Sequence, residues 1–234
     1  MLEFIIKKIK KLKRKIYFQD KNTSLNHHNL INYDRNLNEH DFKLEKNKHV
    51  LILNSFLSKY NFILKNELKS DNIKEYLIFD IGAGSLIHTN YFCNFAKKVY
   101  SIEPSLNAIK IGKKIYGDLK NNIIINDFAE DALEKLPLSG KSFFHTGHVL
   151  SHLTDKSTKQ ILEIINNNSS IGSYLLFDEL WSNKIEVKNK LFFIRNKKFW
   201  KSNLSNFDIN FYEFKNNISG ISFYKGFFGK KVKQ

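Results

Sequence analysis

Two glycines and two carboxylates within residues 75–105 form a pattern typical of a nucleoside-binding site. An apolar run leads into Asp80, Gly82 and Gly84 follow, and Glu103 comes 23 residues after Asp80. Glycine allows a tight turn and lets a ligand approach the backbone closely. A carboxylate at the end of the next strand can accept hydrogen bonds from ribose hydroxyls. The segment therefore predicts a site for a cofactor that contains a nucleoside.

The residues after the second glycine indicate which kind of cofactor this is. The dinucleotide fingerprint requires a third glycine three residues after the second, where the helix N-terminus faces the pyrophosphate. Ile87 occupies that position, and the intervening Ser85 and Leu86 bring no cation for a phosphate. Asp80 also precedes the turn and would repel a pyrophosphate. A cofactor with a cationic amino-acid end and no phosphate fits this loop better than NAD does.

Residues 79–153 resemble the class I S-adenosylmethionine-dependent methyltransferases, particularly the branch that modifies small molecules. Four of that family's motifs occur in order: Asp80-Ile81-Gly82-Ala83-Gly84, the acid in "SIEPS", the acid in "INDFAEDALEKLP", and "HVLSHL" at 148–153. The resemblance implies that S-adenosyl-L-methionine is the cofactor. The implied contacts are Asp80, Gly82, Ala83, Gly84, Glu103, Pro104, Asp127, Phe128 and His145.

The resemblance also assigns individual roles within this set. Glu103 would hold the ribose hydroxyls, Asp127 would contact the adenine amino group, and Phe128 would pack on the adenine. Glu130 and Asp131 compete with Asp127 as the third acid, although carboxylates also stabilise a helix N-terminus without binding a ligand. The chain departs from the family at the start of the fourth strand, where Ser142 replaces the usual Asp.

Several groups are candidates for a general base. His148, just past the fourth predicted strand, is the first candidate, and Asp178 or Glu179 after the fifth strand is the second. His145 lies inside the fourth strand, where a hydrogen-bonded core histidine is an alternative to a cofactor contact. The histidines at 27, 28, 40 and 49 have neither cysteine partners nor an HxxxH spacing, so no metal site is predicted.

The elements that must position these residues alternate between strands and helices from residue 76 onward. Strands are predicted at 76–81, 98–103, 122–126, 142–147 and 173–178, and helices at 87–96, 105–116, 129–135 and 155–168. This alternation indicates a parallel α/β sheet with helices on both faces. Two further apolar runs, 207–214 and 221–229, are joined by "KNNISG" and predict a hairpin. The resemblance implies a Rossmann-like, seven-stranded mixed sheet in the family's usual order, with this C-terminal hairpin antiparallel.

The chain before the sheet differs from the rest in character. Residues 1–43 comprise a basic amphipathic helix (2–18) and a polar loop, predicted to be a lid over the site or an arm that contacts a membrane surface. Residues 44–234 are predicted to form the methyltransferase domain, beginning with a helix at 44–68. The basic, aromatic segment 183–204 carries no clear secondary-structure pattern.

Charge and composition limit the class of partner and the compartment. The net charge of +15 comes entirely from segments 1–18 and 184–201 and the tail from 225, so the remainder is close to neutral. A duplex-binding protein more often carries a basic stripe across its folded face, so nucleic acid is not the expected partner. The single cysteine fits a reducing compartment, and a cytoplasmic location, with peripheral contact to the inner membrane face through 1–18, is expected.

The expected activity is methyl transfer to oxygen or nitrogen of a small-molecule acceptor, a sugar or sugar nucleotide of surface-glycan assembly being one example. An RNA or DNA methyltransferase is the first alternative, although no Asn/Asp-Pro-Pro-aromatic motif follows strand four. A non-catalytic protein that binds the cofactor is the second alternative. An NAD-dependent oxidoreductase is the third, and Ile87 disfavours it.

Overall fold

A computed structural model describes Asn47, Tyr60 and residues 73–182, 186–189, 192–214 and 224–234. The predicted arm at 1–43 and most of the predicted helix at 44–68 lie outside these residues. Asn47 and Tyr60 are both helical, as that prediction expects. The connection of the C-terminal hairpin at 215–223 also lies outside the described part.

The main sheet has seven strands in the order β3-β2-β1-β4-β5-β10-β9. The strands are β1 (Leu77–Ile81), β2 (Lys98–Ile102), β3 (Asn122–Ile125), β4 (Ser142–Gly147), β5 (Tyr174–Asp178), β9 (Phe207–Phe214) and β10 (Tyr224–Lys231). Strands β1 to β5 are parallel, whereas β10 lies antiparallel between β5 and β9. The seven-stranded mixed sheet and its antiparallel C-terminal strands are thereby confirmed.

Helices cover both faces of this sheet, as predicted. They are α1 (Ile87–Phe92), α2 (Leu106–Tyr116), α3 (Ala129–Leu133), α4 (Asp155–Asn168) and α5 (Lys197–Asn203), with single 3-10 turns at Ile73–Glu75 and Leu150–His152. Buried side chains of α3, α4 and α5 share one core with Phe79 and Phe144. Within the described ranges, no helix is both long enough and apolar enough to cross a bilayer.

Aromatic side chains fill the core on both faces. On the α4 face, the Phe79 ring stacks on Tyr100 and on Phe144, each at 5.1 Å between centroids. On the α1 face, Tyr60 is fully buried and meets Phe92 edge-on at 6.1 Å. Rings that pack this way add to the stability gained from burial alone. The sheet is therefore a rigid platform for the loops at its edges.

Several elements differ from the sequence expectation by one to three residues at their ends, among them β10, which ends at Lys231 and not at residue 229, and two regions differ more. Helix α1 ends at Phe92 rather than at residue 96, because Asn94 and Phe95 form hydrogen bonds to the residue three positions back, which tightens the last turn. Strands β7 (Glu186–Asn189) and β8 (Phe192–Asn196) of the unassigned segment form a small second sheet with β6 (Trp181–Ser182), which lies just before that segment. In this sheet β8 is central, parallel to β6 and antiparallel to β7.

Candidate cofactor-binding site

The glycine turn after β1 has the backbone conformation that its sequence predicts. Gly82 and Gly84 have φ angles of 69° and 54°, in the left-handed region that favours glycine. The N–H groups of Gly82 and Ala83 both donate to the Ile102 carbonyl, at 2.8 and 3.0 Å. These bonds hold the turn against the end of β2, immediately before Glu103.

Glu103 joins the two predicted motifs directly. Its carboxylate is 3% exposed and accepts hydrogen bonds from the N–H groups of Gly84 and Ser105, each at 2.8 Å. Burial raises the pKa of Glu103 above its ordinary value, although the two backbone N–H groups oppose this shift. In the described part of the chain each oxygen accepts one bond, whereas a carboxylate can accept about four. Glu103 therefore keeps acceptor capacity for about two further donors.

Asp80 and His145 lie beneath this turn and bind each other. They are opposite in the β1–β4 register, and His145 Nδ1 lies 2.8 Å from Asp80 Oδ1. The Thr89 hydroxyl donates to the other oxygen at 2.5 Å, and all three side chains are buried. Burial acts to raise the pKa of Asp80, but the hydrogen bond and charge of His145, helped by His88 and Thr89, lower it overall. The structure therefore places Asp80 and His145 in a buried network that supports the turn.

Sequence reasoning missed His88. It lies half-buried in the first turn of α1, with its ring 4.5 Å from the His145 ring. Nitrogen or oxygen atoms of His88, His145 and Asp80 all lie within 4.8 Å of one another. The glycine loop leads directly into this helix, at the end of the sheet where ligands bind. The position of His88 in the first helical turn could therefore have marked it as a candidate site residue from the sequence.

Asp127 and Phe128 follow β3, next to Glu103 and Pro104. Asn126 donates to the carbonyl oxygens of both Glu103 and Pro104, at 2.9 Å each, which ties the ends of β2 and β3 together. Asp127 is half-buried, accepts from the Phe128 N–H at 2.9 Å and pairs with the exposed Lys135 at 3.1 Å. Both predicted adenine contacts therefore lie at the same end of the strands as Glu103, the predicted ribose contact.

Glu179 and Arg195 fix the loop after β4, where His148 lies. The fully buried Glu179 carboxylate accepts from the Thr146 hydroxyl and from the N–H groups of three residues, at 2.8–3.0 Å: Val149, Leu150 and Ser151. Buried Arg195 donates to the Leu150 and Leu153 carbonyl oxygens, at 2.7 Å each. These bonds give Glu179 a structural role in place of the base proposed from sequence, and the role of Arg195 was not foreseen.

His148 and Asp178 differ in their availability to a ligand. His148 is half-buried with φ 61°, and its N–H donates to the Asp178 carbonyl at 3.0 Å. The Asp178 carboxylate is buried and accepts from the Tyr212 hydroxyl at 2.7 Å. Burial, followed by the charge of Asp178, raises the pKa of Tyr212 well above its ordinary value, so Tyr212 stays protonated and keeps donating. His148 is therefore the better placed of the two candidate bases.

Replacing Gly82 with alanine tests the packing of the turn. The added Cβ would lie within van der Waals overlap of Val149, and residue 82 would keep its left-handed conformation. We expect the free energy of unfolding to fall by about 2–3 kcal/mol in urea titrations. Adding Val149→Ala removes the two closest atoms and should restore part of the loss, whereas additive effects of the two changes would contradict this packing.

This chain resembles known proteins in structure but not in sequence. No family model and no curated protein matches this sequence. Many solved structures match, among them a methyltransferase from Archaeoglobus fulgidus that is 14% identical with a TM-score of 0.59. The match covers 78% of this chain and 94% of that one.

Two further matches contain S-adenosylhomocysteine. The DhpI complex is 14% identical with a TM-score of 0.53, covering 82% of this chain and 94% of that chain. The 1,6-didemethyltoxoflavin-N1-methyltransferase of Burkholderia thailandensis is 11% identical with a TM-score of 0.54, covering 80% and 90%. At these identities a match establishes the fold. This chain therefore has the fold of the class I S-adenosylmethionine-dependent methyltransferases.

Proposed function

We propose that this protein is an S-adenosylmethionine-dependent methyltransferase that modifies oxygen or nitrogen of a small-molecule acceptor. The observation that carries the proposal is the buried Glu103 carboxylate, which is held by the glycine turn and retains hydrogen-bonding capacity for about two hydroxyl donors. The loop offers no cation to a phosphate, and the Glu103 carboxylate would repel one. A cofactor with a ribose, an ammonium group and no phosphate fits these acceptors.

The residues of the site would bind and orient both reactants. Bound S-adenosylmethionine supplies a methyl group on a positively charged sulfur, and the methyl carbon is open to attack by a lone pair of the acceptor. Glu103 would hold the ribose, Asp127 and Phe128 the adenine, and the Gly82–Gly84 turn the amino-acid end. Alignment of two reactants alone can lower a barrier by about 7–11 kcal/mol. His148, at the mouth of the site, is the proposed acceptor of the proton that a hydroxyl acceptor releases.

A small-molecule acceptor is supported by one structural neighbour and by the distribution of charge along the sequence. One structural neighbour is a methyltransferase of a small heterocycle, 1,6-didemethyltoxoflavin. The net positive charge of this chain comes from three separate segments, 1–18, 184–201 and the tail from 225, and the rest of the sequence is close to neutral. We propose a sugar or sugar nucleotide of surface-glycan assembly as the acceptor.

Transfer of a labelled methyl group tests the acceptor class. Purified protein would be incubated with methyl-labelled S-adenosylmethionine and separate pools of sugar nucleotides, free sugars, small amines, tRNA and duplex DNA. We expect label in the sugar-nucleotide or sugar pool and none in the polymers. Label in RNA or DNA alone would overturn the small-molecule proposal. Label in no pool, despite cofactor binding, would favour a non-catalytic binding protein.

The basic segment 1–18 is proposed to hold the protein at an anionic membrane surface. Its apolar residues recur at helical spacing, and seven basic side chains accompany them. In a liposome flotation assay we expect the full chain to float with vesicles that contain anionic lipid and to remain below with neutral vesicles. Complete retention in the soluble fraction with both would contradict the proposal.

A further inference from the structure

Two lysine ammonium groups lie over one tryptophan ring near the carboxyl end of β5. Lys197 Nζ is 4.1 Å and Lys225 Nζ is 4.6 Å from the Trp181 ring centroid. Phe211 packs edge-on against Trp181 at 5.5 Å, and Lys197 also lies 5.3 Å from the Phe211 ring. We name these four half-buried residues, Trp181, Lys197, Phe211 and Lys225, the lysine–tryptophan cluster.

The cluster lies at the carboxyl ends of the parallel strands, as does the candidate cofactor site. Trp181 follows the carboxyl end of β5 by three residues, and its indole N–H donates to the Gly226 carbonyl of β10 at 3.0 Å. The His148 N–H bonds to the Asp178 carbonyl, which connects the loop after β4 to this end of β5. Ligands of open α/β sheets bind at this carboxyl edge.

The nearby carboxylates do not neutralise both lysines. Glu213 lies 3.5 Å from Lys225, but among the side chains that the structure describes no carboxylate oxygen lies within 4.0 Å of Lys197. The other acids of this region have partners of their own: Asp178 accepts from Tyr212, Glu179 accepts four hydrogen bonds and Asp155 pairs with Arg195. The Lys197 ammonium therefore remains available to an external anion.

Two like charges close to one half-buried ring favour the binding of an anion beside them. Both nitrogens lie close to the same ring, so they repel each other, and partial burial reduces the water that would screen them. A lysine ammonium is a compact point charge that binds phosphate and carboxylate oxygens. We propose that the lysine–tryptophan cluster binds a phosphate or carboxylate group of the methyl acceptor, so that the enzyme selects acidic acceptors. This assignment rests on the proposed methyltransferase function.

Tryptophan fluorescence gives a direct test, because Trp181 is one of only two tryptophans and the other, Trp200, is fully buried. Protein would be titrated at constant ionic strength with pyrophosphate and, separately, with malonate, both with and without S-adenosylhomocysteine. We expect a saturable fluorescence change that disappears in Trp181→Phe. Lys197→Ala and Lys225→Ala should each weaken the anion affinity at least about tenfold. Response to only one anion would identify the preferred group as phosphate or carboxylate.

The matched control is Lys198→Ala, which removes the same charge from the exposed residue adjacent to Lys197. It should change the anion affinity by less than about twofold, since an exposed charge is screened by salt. No saturable response to either anion, or an equal loss in Lys198→Ala, would overturn the proposal. The affinity for S-adenosylhomocysteine, measured by calorimetry, should be unchanged in all lysine variants. A failure of cofactor binding can therefore be distinguished from a failure of anion binding.

Discussion

Replacing Glu103 with alanine is expected to weaken the binding of S-adenosylhomocysteine by at least about 100-fold. In the proposed complex, the buried carboxylate accepts hydrogen bonds from two ribose hydroxyls. Each hydrogen bond to a charged group contributes about 1.5–3 kcal/mol. A total near 3 kcal/mol corresponds to about two powers of ten in affinity. The substitution also removes the acceptor for the Gly84 and Ser105 N–H groups, which loosens the turn. Isothermal titration calorimetry measures the change.

Two controls separate lost binding from lost folding. Glu163→Ala removes the same charge from an exposed position of α4 and should leave the affinity unchanged. Thermal unfolding of Glu103→Ala should remain cooperative. Because burial raises the pKa of Glu103, affinity in the unsubstituted protein should also fall as the pH drops through that raised value, where the carboxyl gains a proton. An affinity within about threefold of the original in Glu103→Ala would contradict the ribose role.

Replacing Glu179 with glutamine is expected to lower the free energy of unfolding by about 3–5 kcal/mol. The carboxylate accepts four hydrogen bonds, three of them from consecutive N–H groups of the loop after β4. Glutamine keeps the shape but replaces one acceptor oxygen with an NH2 donor, which would face the Ser151 N–H. A buried donor that loses its acceptor pays the full cost of desolvation.

Urea titration of the Glu179→Gln variant measures this loss. Glu163→Gln makes the same chemical change at an exposed position and should alter the unfolding free energy by less than about 0.5 kcal/mol. A similarly small change in Glu179→Gln would show that the loop does not depend on these bonds. Activity loss with unchanged stability would instead return Glu179 to the candidate bases.

Local patterns made much of the sheet and the glycine turn predictable. Strand β4 and helix α4 begin and end at the predicted residues, because apolar runs and a helix cap such as Thr154 are encoded in a few neighbouring positions. The link between the turn and Glu103 was also predictable, since parallel strands bring their carboxyl ends to one edge.

The supporting contacts could not be predicted, because each joins residues far apart in the chain. Glu179 reaches a loop about 30 residues earlier, and Arg195 reaches Leu150 across 45 residues. The pairing of Asp80 with His145 spans 65 residues and depends on the β1–β4 register. A single sequence gives the residue types but not the strand order that brings them together.

The most direct test of this account is calorimetric titration of the purified protein with S-adenosylhomocysteine, with NAD as the control. Both ligands carry an adenosine, but only NAD brings a pyrophosphate to the turn between Asp80 and Glu103. The account predicts micromolar binding of S-adenosylhomocysteine at one site per chain and no detectable binding of NAD. Binding of NAD instead, or of neither ligand by folded protein, would contradict it.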